Sequence, residues 1–147
     1  MTIIPHNLKD KILGDYDTNK VSGLHPDWFL TCRISLIDFR GDLQIRSAMN
    51  ITFGFHVTIL TASHDFSQGS LGEMILKKVW IDEGAFIGSN ALLYNCHIGQ
   101  CAVVAAGAVV RNIKVPPHCM VEGNPATVTK VFKDGQWVAP YFWKEIK

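Results

Sequence analysis

The chain has 147 residues, of which 48% are hydrophobic, and its 14 Lys and Arg stand against 13 Asp and Glu. This length accommodates one ordinary domain. The near balance of charge gives no reason to expect a nucleic acid or an anionic membrane surface as partner. No apolar run is long enough to span a bilayer, and the start lacks the features of a signal peptide. We therefore expect a cytoplasmic chain without a membrane span, folded as a single domain over 1–147.

The first 30 residues show no hydrophobic period and contain turn-forming segments at 14–17 and 22–28. Asn7 is a suitable N-cap for a short helix through Ile12 and Leu13. We predict that residues 1–30 form an N-terminal cap.

A six-residue repeat dominates the sequence from Ile75 onward, and a looser form of it occurs earlier. Small residues recur four positions after several of the repeating aliphatics, as in Ala85 after Ile81. A helix would repeat at three to four residues and a flat strand at two, so the pattern predicts an all-β coil with three flat sides. The repeating positions are Phe39, Ile45, Ile51 and Val57, then Ile75, Ile81, Ile87 and Leu93, and, after a five-residue step, Ile98, Val104 and Val110.

The repeat fails between Val57 and Ile75, where the sequence is polar and rich in Gly and Ser. We predict coils over 31–132 with a protruding loop at about 63–74. Loops on a rigid scaffold often carry binding and catalytic groups, so this is the first place to seek chemistry. Met49 and Phe55 replace the small residues of later coils, which predicts that the early coils are wider.

The C-terminal part changes character after Val110. Pro116 and Pro117 cannot donate to a strand ladder, and 120–132 is predicted to be extended with a turn at 123–125. The tail, 133–147, carries four aromatic side chains, which predicts packing on this chain or a neighbouring subunit. They are Trp137, Tyr141, Phe142 and Trp143.

The four cysteines contain no CxxC pair and are interpreted as buried free thiols, without a disulfide or zinc. Motifs of nucleophile elbows, P-loops, HExxH zinc sites and dinucleotide folds are missing. His6, His25, His97 and His118 have no ligand-like spacing and are interpreted as surface or capping residues.

Four motifs, in this order, resemble those of the hexapeptide-repeat acyltransferases, and in particular the galactoside, maltose and nodulation-factor sugar O-acetyltransferases. The resemblance covers about 39–132 and implies a left-handed parallel β-helix, an exception to the usual right-handed crossover. It also implies a homotrimer with active sites between adjacent subunits. The motifs lie at 61–65, 79–88, 104–110 and 121–126.

The activity that the resemblance implies is transfer of an acetyl group from acetyl-CoA to a sugar hydroxyl, without a metal. His64 holds the place of the family's catalytic histidine and is the expected general base, since a neutral imidazole can take the hydroxyl proton. The residues expected to bind CoA are Trp80, Ala105, Ala106, Gly107, Arg111, Asn112 and Lys130. Small residues admit the pantetheine arm, and the cations can meet its phosphates.

Acceptor recognition is the least defined part of the resemblance. Asp38 lies close to an acidic sugar-binding position of the family, and Asp65 either orients His64, binds the sugar or forms a turn. Thr31 stands where relatives have a sugar-binding Asn, and Asn112 stands where they often have a basic residue. We therefore expect an acceptor that differs from a simple galactoside, and a nucleotide-linked or polysaccharide-precursor sugar fits.

Three alternatives stay open at this point. An amino-sugar N-acetyltransferase would use the same base and donor. A carbonic anhydrase of the same coil type would bind zinc through histidines such as His56, His64 and His97, although its ligand spacing is missing here. A non-catalytic hexapeptide-repeat scaffold would use the coil for assembly alone.

Overall fold

The computed structural model describes residues 12–14, 20–25 and 27–140. The strands are β1 (Ile12–Leu13), β2 (Val21–Ser22), β3 (Ile34–Asp38), β4 (Asp42–Ile45), β5 (Thr52–Phe53), β6 (Val57–Leu60), β7 (Ala62–His64), β8 (Met74–Leu76), β9 (Lys78–Ile81), β10 (Phe86–Ile87), β11 (Leu92–Tyr94), β12 (Cys96–Ile98), β13 (Val103–Val104), β14 (Val109–Arg111), β15 (Lys114–Val115), β16 (Cys119–Gly123), β17 (Ala126–Lys133) and β18 (Gln136–Val138). A four-residue helix, α1 (Asp27–Leu30), precedes β3, and a 3₁₀ turn spans Ala48–Asn50.

Most of these strands wind into a three-sided prism, and the strands within each face of the prism run parallel. The first face has the order β1-β3-β6-β11-β14, and the second face has the order β15-β12-β9-β4-β2. The third face contains β5, β10, β13 and β16, to which β17 and β18 add in antiparallel fashion. The six-residue repeat therefore is confirmed as a parallel β-helix, in which each strand supplies one side of a coil.

The later coils, from β9 onward, align residues 17 positions apart. Leu93 pairs with Val110 on the first face, Ile98 with Val115 on the second and Val104 with Val121 on the third. The five-residue step in the repeat lies at the corner between the first and second faces. At this corner Asn95 and Asn112 adopt φ of 44° and 56°, and such left-handed residues close a tight turn with one residue fewer.

The core consists of stacked rows of aliphatic side chains that point into the prism. Ile59, Ile81, Ile87, Leu93 and Ile98 are all fully buried. Burial of each such side chain stabilises the fold by about 1.5–3 kcal/mol relative to exposure. The small residues predicted at the corners are buried too, namely Ala85, Ala91, Ala102 and Ala108. They let neighbouring coils stack closely.

The early coils follow the same plan with a wider corner. Phe39 and Ile45 are buried as predicted, while Ile51 follows the 3₁₀ turn that lengthens this corner. The prediction of a helix through Ile12 and Leu13 is wrong for these two residues, because they form β1 and pair in parallel with β3. The proposed cap at Asn7 lies outside the described residues.

The C-terminal segment reverses direction after the last coil. The extended segment predicted at 120–132 is two strands, β16 and β17, joined by a turn and paired in antiparallel fashion. Strand β18 pairs with β17, and the Trp137 ring contacts Phe132 with 5.3 Å between centroids. Tyr141, Phe142 and Trp143 lie outside the described residues.

Candidate active site

The predicted loop leaves the prism at the corner between the first and second faces. It is a hairpin, in which β7 pairs with β8 in antiparallel fashion, with His64 opposite Met74. The base of the hairpin is tied to the coil, because Lys77 N donates to the Thr61 carbonyl (2.7 Å) and Asp42 N donates to the Lys77 carbonyl (3.0 Å). His64 is thus carried on a strand that begins and ends at a rigid corner.

His64 is the last residue of β7 and is half-buried. Its ring Nδ1 lies 2.9 Å from the Gly72 carbonyl oxygen across the hairpin. A carbonyl oxygen only accepts, so this contact assigns the proton of the neutral ring to Nδ1. The other nitrogen, Nε2, then has the free lone pair that a general base requires.

Asp65 does not contact the His64 ring among the hydrogen bonds of the described residues. Its carboxylate accepts from Ser67 N at 2.8 Å, and its backbone bonds to Glu73 and Gly72 close the loop. Hydrogen bonds from the backbone and then the side chain of Ser67 lower the pKa of Asp65. The side chain is exposed, so its position suits the turn-forming role and leaves a role toward the sugar as a prediction.

Asp38 lies at the end of β3 and is fully buried. It accepts from Arg40 Nε (2.8 Å) and Nη2 (2.9 Å) and from Thr61 N (3.1 Å). Burial raises the pKa of Asp38, but the hydrogen bonds from Arg40 and Thr61 outweigh it and leave the pKa below its ordinary value. In this arrangement the carboxylate offers no exposed atom to a sugar, and it supports the strand from which the hairpin departs.

Trp80 points outward from β9 on the second face and is half-buried. Its indole Nε1 donates to Asp42 Oδ2 at 3.0 Å, and its ring meets the His97 ring edge-on with 5.6 Å between centroids. Lys78 Nζ lies 4.3 Å from the centre of the indole ring. These contacts hold the ring in one position on the outer wall.

His97, which the sequence analysis interprets as a surface or capping residue, lies beside the candidate site residue Trp80. Its Nε2 donates to Asp82 Oδ2 at 2.8 Å, while Arg46 Nε lies 3.6 Å from Asp82 Oδ1. Asp82 Oδ1 is buried and has no hydrogen-bond partner among the residues that the structure describes. The signal that points to His97 is the interval of 17 residues, which places it beside Trp80 in the next coil.

Ala105, Ala106 and Gly107 form the corner between the third and first faces. Ala106 and Gly107 are exposed, and Gly107 has φ of 73°. A Cβ added to Gly88 in the preceding coil would lie 2.5 Å from Ala106 N, so the two corners stack almost in contact. The exposed, small-residue backbone is accessible to a narrow chain such as pantetheine, and it therefore fits the predicted donor site.

The other predicted donor residues are spread over the prism. Arg111 ends β14 on the first face, and Lys130 is exposed on β17 at the third face. Asn112 accepts from Asn95 Nδ2 at 2.9 Å and shares a cavity of about 390 Å³ with Trp80. One chain therefore brings Trp80 and Asn112 together near the corner from which the His64 hairpin projects. Ala105–Gly107 lie at the corner between the third and first faces, and Lys130 lies on the third face.

Solved structures of acetyltransferases share this architecture. A hexapeptide-repeat acetyltransferase from Vibrio cholerae O1 biovar eltor, in complex with acetyl coenzyme A, is 29% identical with a TM-score of 0.58, covering 69% of this chain and 55% of that one. A galactoside acetyltransferase in complex with coenzyme A is 22% identical, with a TM-score of 0.56, covering 70% and 50%. A maltose O-acetyltransferase from Clostridium difficile 630 is 19% identical, with a TM-score of 0.51, covering 74% and 75%.

These similarities confirm the resemblance and the fold, a left-handed parallel β-helix of the hexapeptide-repeat acetyltransferase type. The chain spans about half the length of the Vibrio and galactoside enzymes that it matches. No protein-family model matches the sequence, and no curated protein matches it significantly.

Two further properties concern the described part of the chain. None of its helices has the length and apolar character needed to cross a membrane. Over residues 12–14, 20–25 and 27–140, no three His, Cys, Asp or Glu side chains form a group that could hold a metal ion.

Proposed function

We propose that this protein is an acetyl-CoA-dependent acyltransferase that acetylates a sugar hydroxyl. The observation that carries the proposal is the His64 ring, held by the Gly72 carbonyl so that Nε2 is free, on a hairpin that projects from the coil. The fold supports it, since a similar hexapeptide-repeat acetyltransferase is solved with acetyl coenzyme A.

The reaction is a direct transfer between two bound substrates. Nε2 of His64 takes the proton of the acceptor hydroxyl while its oxygen attacks the thioester carbonyl. The tetrahedral intermediate then expels the CoA thiolate, the carbon–sulfur bond breaks, and the proton held by His64 passes to the leaving sulfur. The bond to Gly72 keeps the ring oriented through both proton transfers, because Nδ1 stays protonated throughout.

The site is completed by the donor residues and by assembly. Trp80, Ala105–Gly107, Arg111, Asn112 and Lys130 bind CoA, and Asp65 contacts the sugar. Because one chain distributes these residues over several faces, the active unit is a homotrimer with sites between subunits. The protein acts in the cytoplasm on a polysaccharide-precursor sugar.

The variant His64→Ala tests the base. It lowers kcat by at least a factor of a hundred, in line with the usual contribution of a general base, while CoA affinity stays unchanged. Transfer is measured by thiol release from acetyl-CoA with a panel of neutral, amino and nucleotide-linked sugars, and CoA affinity by calorimetry. If only the amino sugars are acetylated, the acceptor group is an amine and the proposed hydroxyl acceptor is wrong. Loss of CoA binding in His64→Ala would contradict its role as base.

Donor binding has its own test. Calorimetric titration with CoA should give one site per subunit, and Lys130→Ala should weaken that binding several-fold with little change in kcat. Elemental analysis of the purified protein accompanies the titration. Stoichiometric zinc without CoA binding would favour the anhydrase-like alternative, and neither metal nor CoA binding would favour a scaffold.

A further inference from the structure

His97 and Trp80 form a pair of rings on the second face, within the site proposed for CoA. Both side chains point outward from neighbouring strands, since His97 on β12 pairs with Trp80 on β9. The rings meet edge-on, with 5.6 Å between centroids and 72° between planes. Both residues line the cavity of about 390 Å³ that Asn112 also lines. His97 therefore lies beside two of the residues proposed for the donor, although it is not itself one of them.

The indole of Trp80 needs two restraints to keep one orientation. On the side of β4, its Nε1 donates to Asp42 Oδ2 at 3.0 Å. The outer torsion of an aromatic side chain has a broad energy well, so one hydrogen bond leaves the plane of the ring free to swing. Strand β9 lies between β4 and β12, so His97 contacts the indole from the opposite side. The two contacts together fix the plane of the ring.

His97 can restrain the indole because the imidazole is itself held. Its Nε2 donates to Asp82 Oδ2 at 2.8 Å, and 16% of its side chain is exposed. Arg46 Nε lies 3.6 Å from the other oxygen of Asp82. Lys78 and Arg46 also approach the indole, at 4.3 and 5.9 Å from its centre, but through long, exposed side chains that retain many rotamers. Among these neighbours, the anchored imidazole is the rigid one.

We propose that His97 is a positioning residue for the donor: anchored by Asp82, it holds the Trp80 indole in the orientation that binds CoA. The inference rests on the proposed function, in which Trp80 contacts CoA. A site that adopts its competent orientation for only part of the time binds with an affinity reduced by that fraction. Loss of one edge-on aromatic contact should therefore weaken CoA binding about two- to tenfold. It should leave kcat nearly unchanged, because His97 does not touch the reacting atoms.

The orientation of the indole can be measured on the full chain without any ligand. In ¹H–¹⁵N spectra the Nε1–H signal of Trp80, identified by its loss in Trp80→Phe, reports the hydrogen bond to Asp42. We expect this signal to shift and broaden in His97→Ala and in Asp82→Ala. Asp82→Asn keeps an acceptor oxygen for His97 and should keep the signal close to that of the wild type. The matched control is His118→Asn, which changes an exposed histidine between β15 and β16 and should leave the signal unchanged.

A double-mutant cycle shows whether His97 acts through Trp80. CoA affinity is titrated by calorimetry for the wild type, His97→Ala, Trp80→Ala and the double variant, and thiol release gives kcat and the KM for acetyl-CoA. His97→Ala should raise the Kd for CoA and the KM but not change kcat, and it should have no further effect once Trp80 is Ala. His118→Asn should leave all three values unchanged. Circular dichroism verifies that every variant is folded.

Two results would overturn the proposal. An unchanged Trp80 signal in His97→Ala would show that the indole needs no second restraint. Equal losses of CoA affinity from His97→Ala with and without Trp80 would show that His97 acts independently of the indole. Failure of the proposed function is distinguishable, because a wild type that binds no CoA loses the donor site itself, whatever the Trp80 signal shows in His97→Ala.

Discussion

At the scale of single residues, Asp38 determines how the hairpin corner is held. Its buried carboxylate accepts from the Arg40 guanidinium and from Thr61 N, while the Thr61 hydroxyl donates to the Asp38 carbonyl at 3.0 Å. Gly41 N in turn donates to that hydroxyl at 2.8 Å. The strand that leads to His64 is therefore fastened by a closed set of hydrogen bonds, in which removal of one partner leaves others unsatisfied.

Asp38→Asn should lower the free energy of unfolding by about 2–3 kcal/mol at pH 7. The substitution keeps the size of the side chain but removes the charge that pairs with Arg40, and it turns one acceptor oxygen into a donor group. Urea unfolding at fixed protein concentration measures the loss. An unchanged midpoint would show that the ion pair contributes no net stability.

The contribution of Asp38 should depend on pH in a definite direction. Since the folded pKa lies below the ordinary value of 3.8, the unfolded chain binds the proton first as the pH falls. The stability due to the charge is thus present above about pH 4 and is lost as the pH drops through the folded pKa. The difference between wild type and Asp38→Asn should shrink between pH 5 and pH 3 in urea titrations. A difference that is constant over this range would contradict the assignment.

His97 and Asp82 form a second coupled pair. His97→Phe keeps an aromatic ring against Trp80 but removes the donor to Asp82, so we expect a loss of about 1–3 kcal/mol in unfolding free energy. Adding Asp82→Asn should recover part of this loss, because a neutral amide then replaces the half-buried carboxylate that has lost its donor. A double-mutant cycle measured by urea unfolding gives the coupling energy, and strictly additive losses would show that the pair does not interact.

At the scale of elements, two glycines at the corners of the coils meet different constraints. Gly88 is limited by the space between neighbouring coils, and Gly107 is limited by its positive φ. Gly88 has no room for a Cβ, since Ala106 N and the Val104 carbonyl would lie at 2.5 and 2.7 Å. Gly107 has open space around it but a φ of 73°. Its equivalent 17 residues earlier is Asn90, with φ of 61°, so Asn is compatible with that corner.

Gly88→Ala should therefore destabilise the protein by about 1–3 kcal/mol, because the added methyl group must push two coils apart. Gly107→Asn is the matched control at the next coil and should change stability by about 0.5 kcal/mol or less. Thermal unfolding of both variants and of the wild type measures the two changes in stability. Equal effects would mean that close approach of the coils is not the constraint at Gly88.

The same elements show what the sequence could predict. The six-residue period predicts the coils, because an aliphatic side chain must point inward once on each side of the prism. The break in that period predicts the hairpin. The sequence wrongly predicts Ile12 and Leu13 as part of a helix, since two residues show no period and only their pairing with β3 defines them as a strand. The contacts of His97 depend on the register between coils, which appears only when 17-residue intervals are compared.

At the scale of the whole molecule, the distribution of the candidate site residues favours assembly. His64 projects from the corner between the first and second faces, whereas Ala106 lies at the corner between the third and first faces. The hairpin also exposes large apolar side chains, with Phe66 at 61% and Leu71 at 68% exposure. Apolar surface of this kind suits burial against another copy of the chain.

Mixing two inactive variants tests whether, in the proposed homotrimer, one site draws on two subunits. His64→Ala lacks the base, and Ala106→Trp blocks the donor corner, so each variant alone should be inactive. If each site takes His64 from one subunit and Ala106 from its neighbour, trimers refolded from an equal mixture should regain up to about a quarter of wild-type activity, the random share of intact pairs. Thiol release measures the activity, and sedimentation verifies assembly of both variants. Because two defective copies cannot combine when each site lies within one chain, a mixture that stays inactive despite forming trimers would place the base and the donor corner on the same subunit.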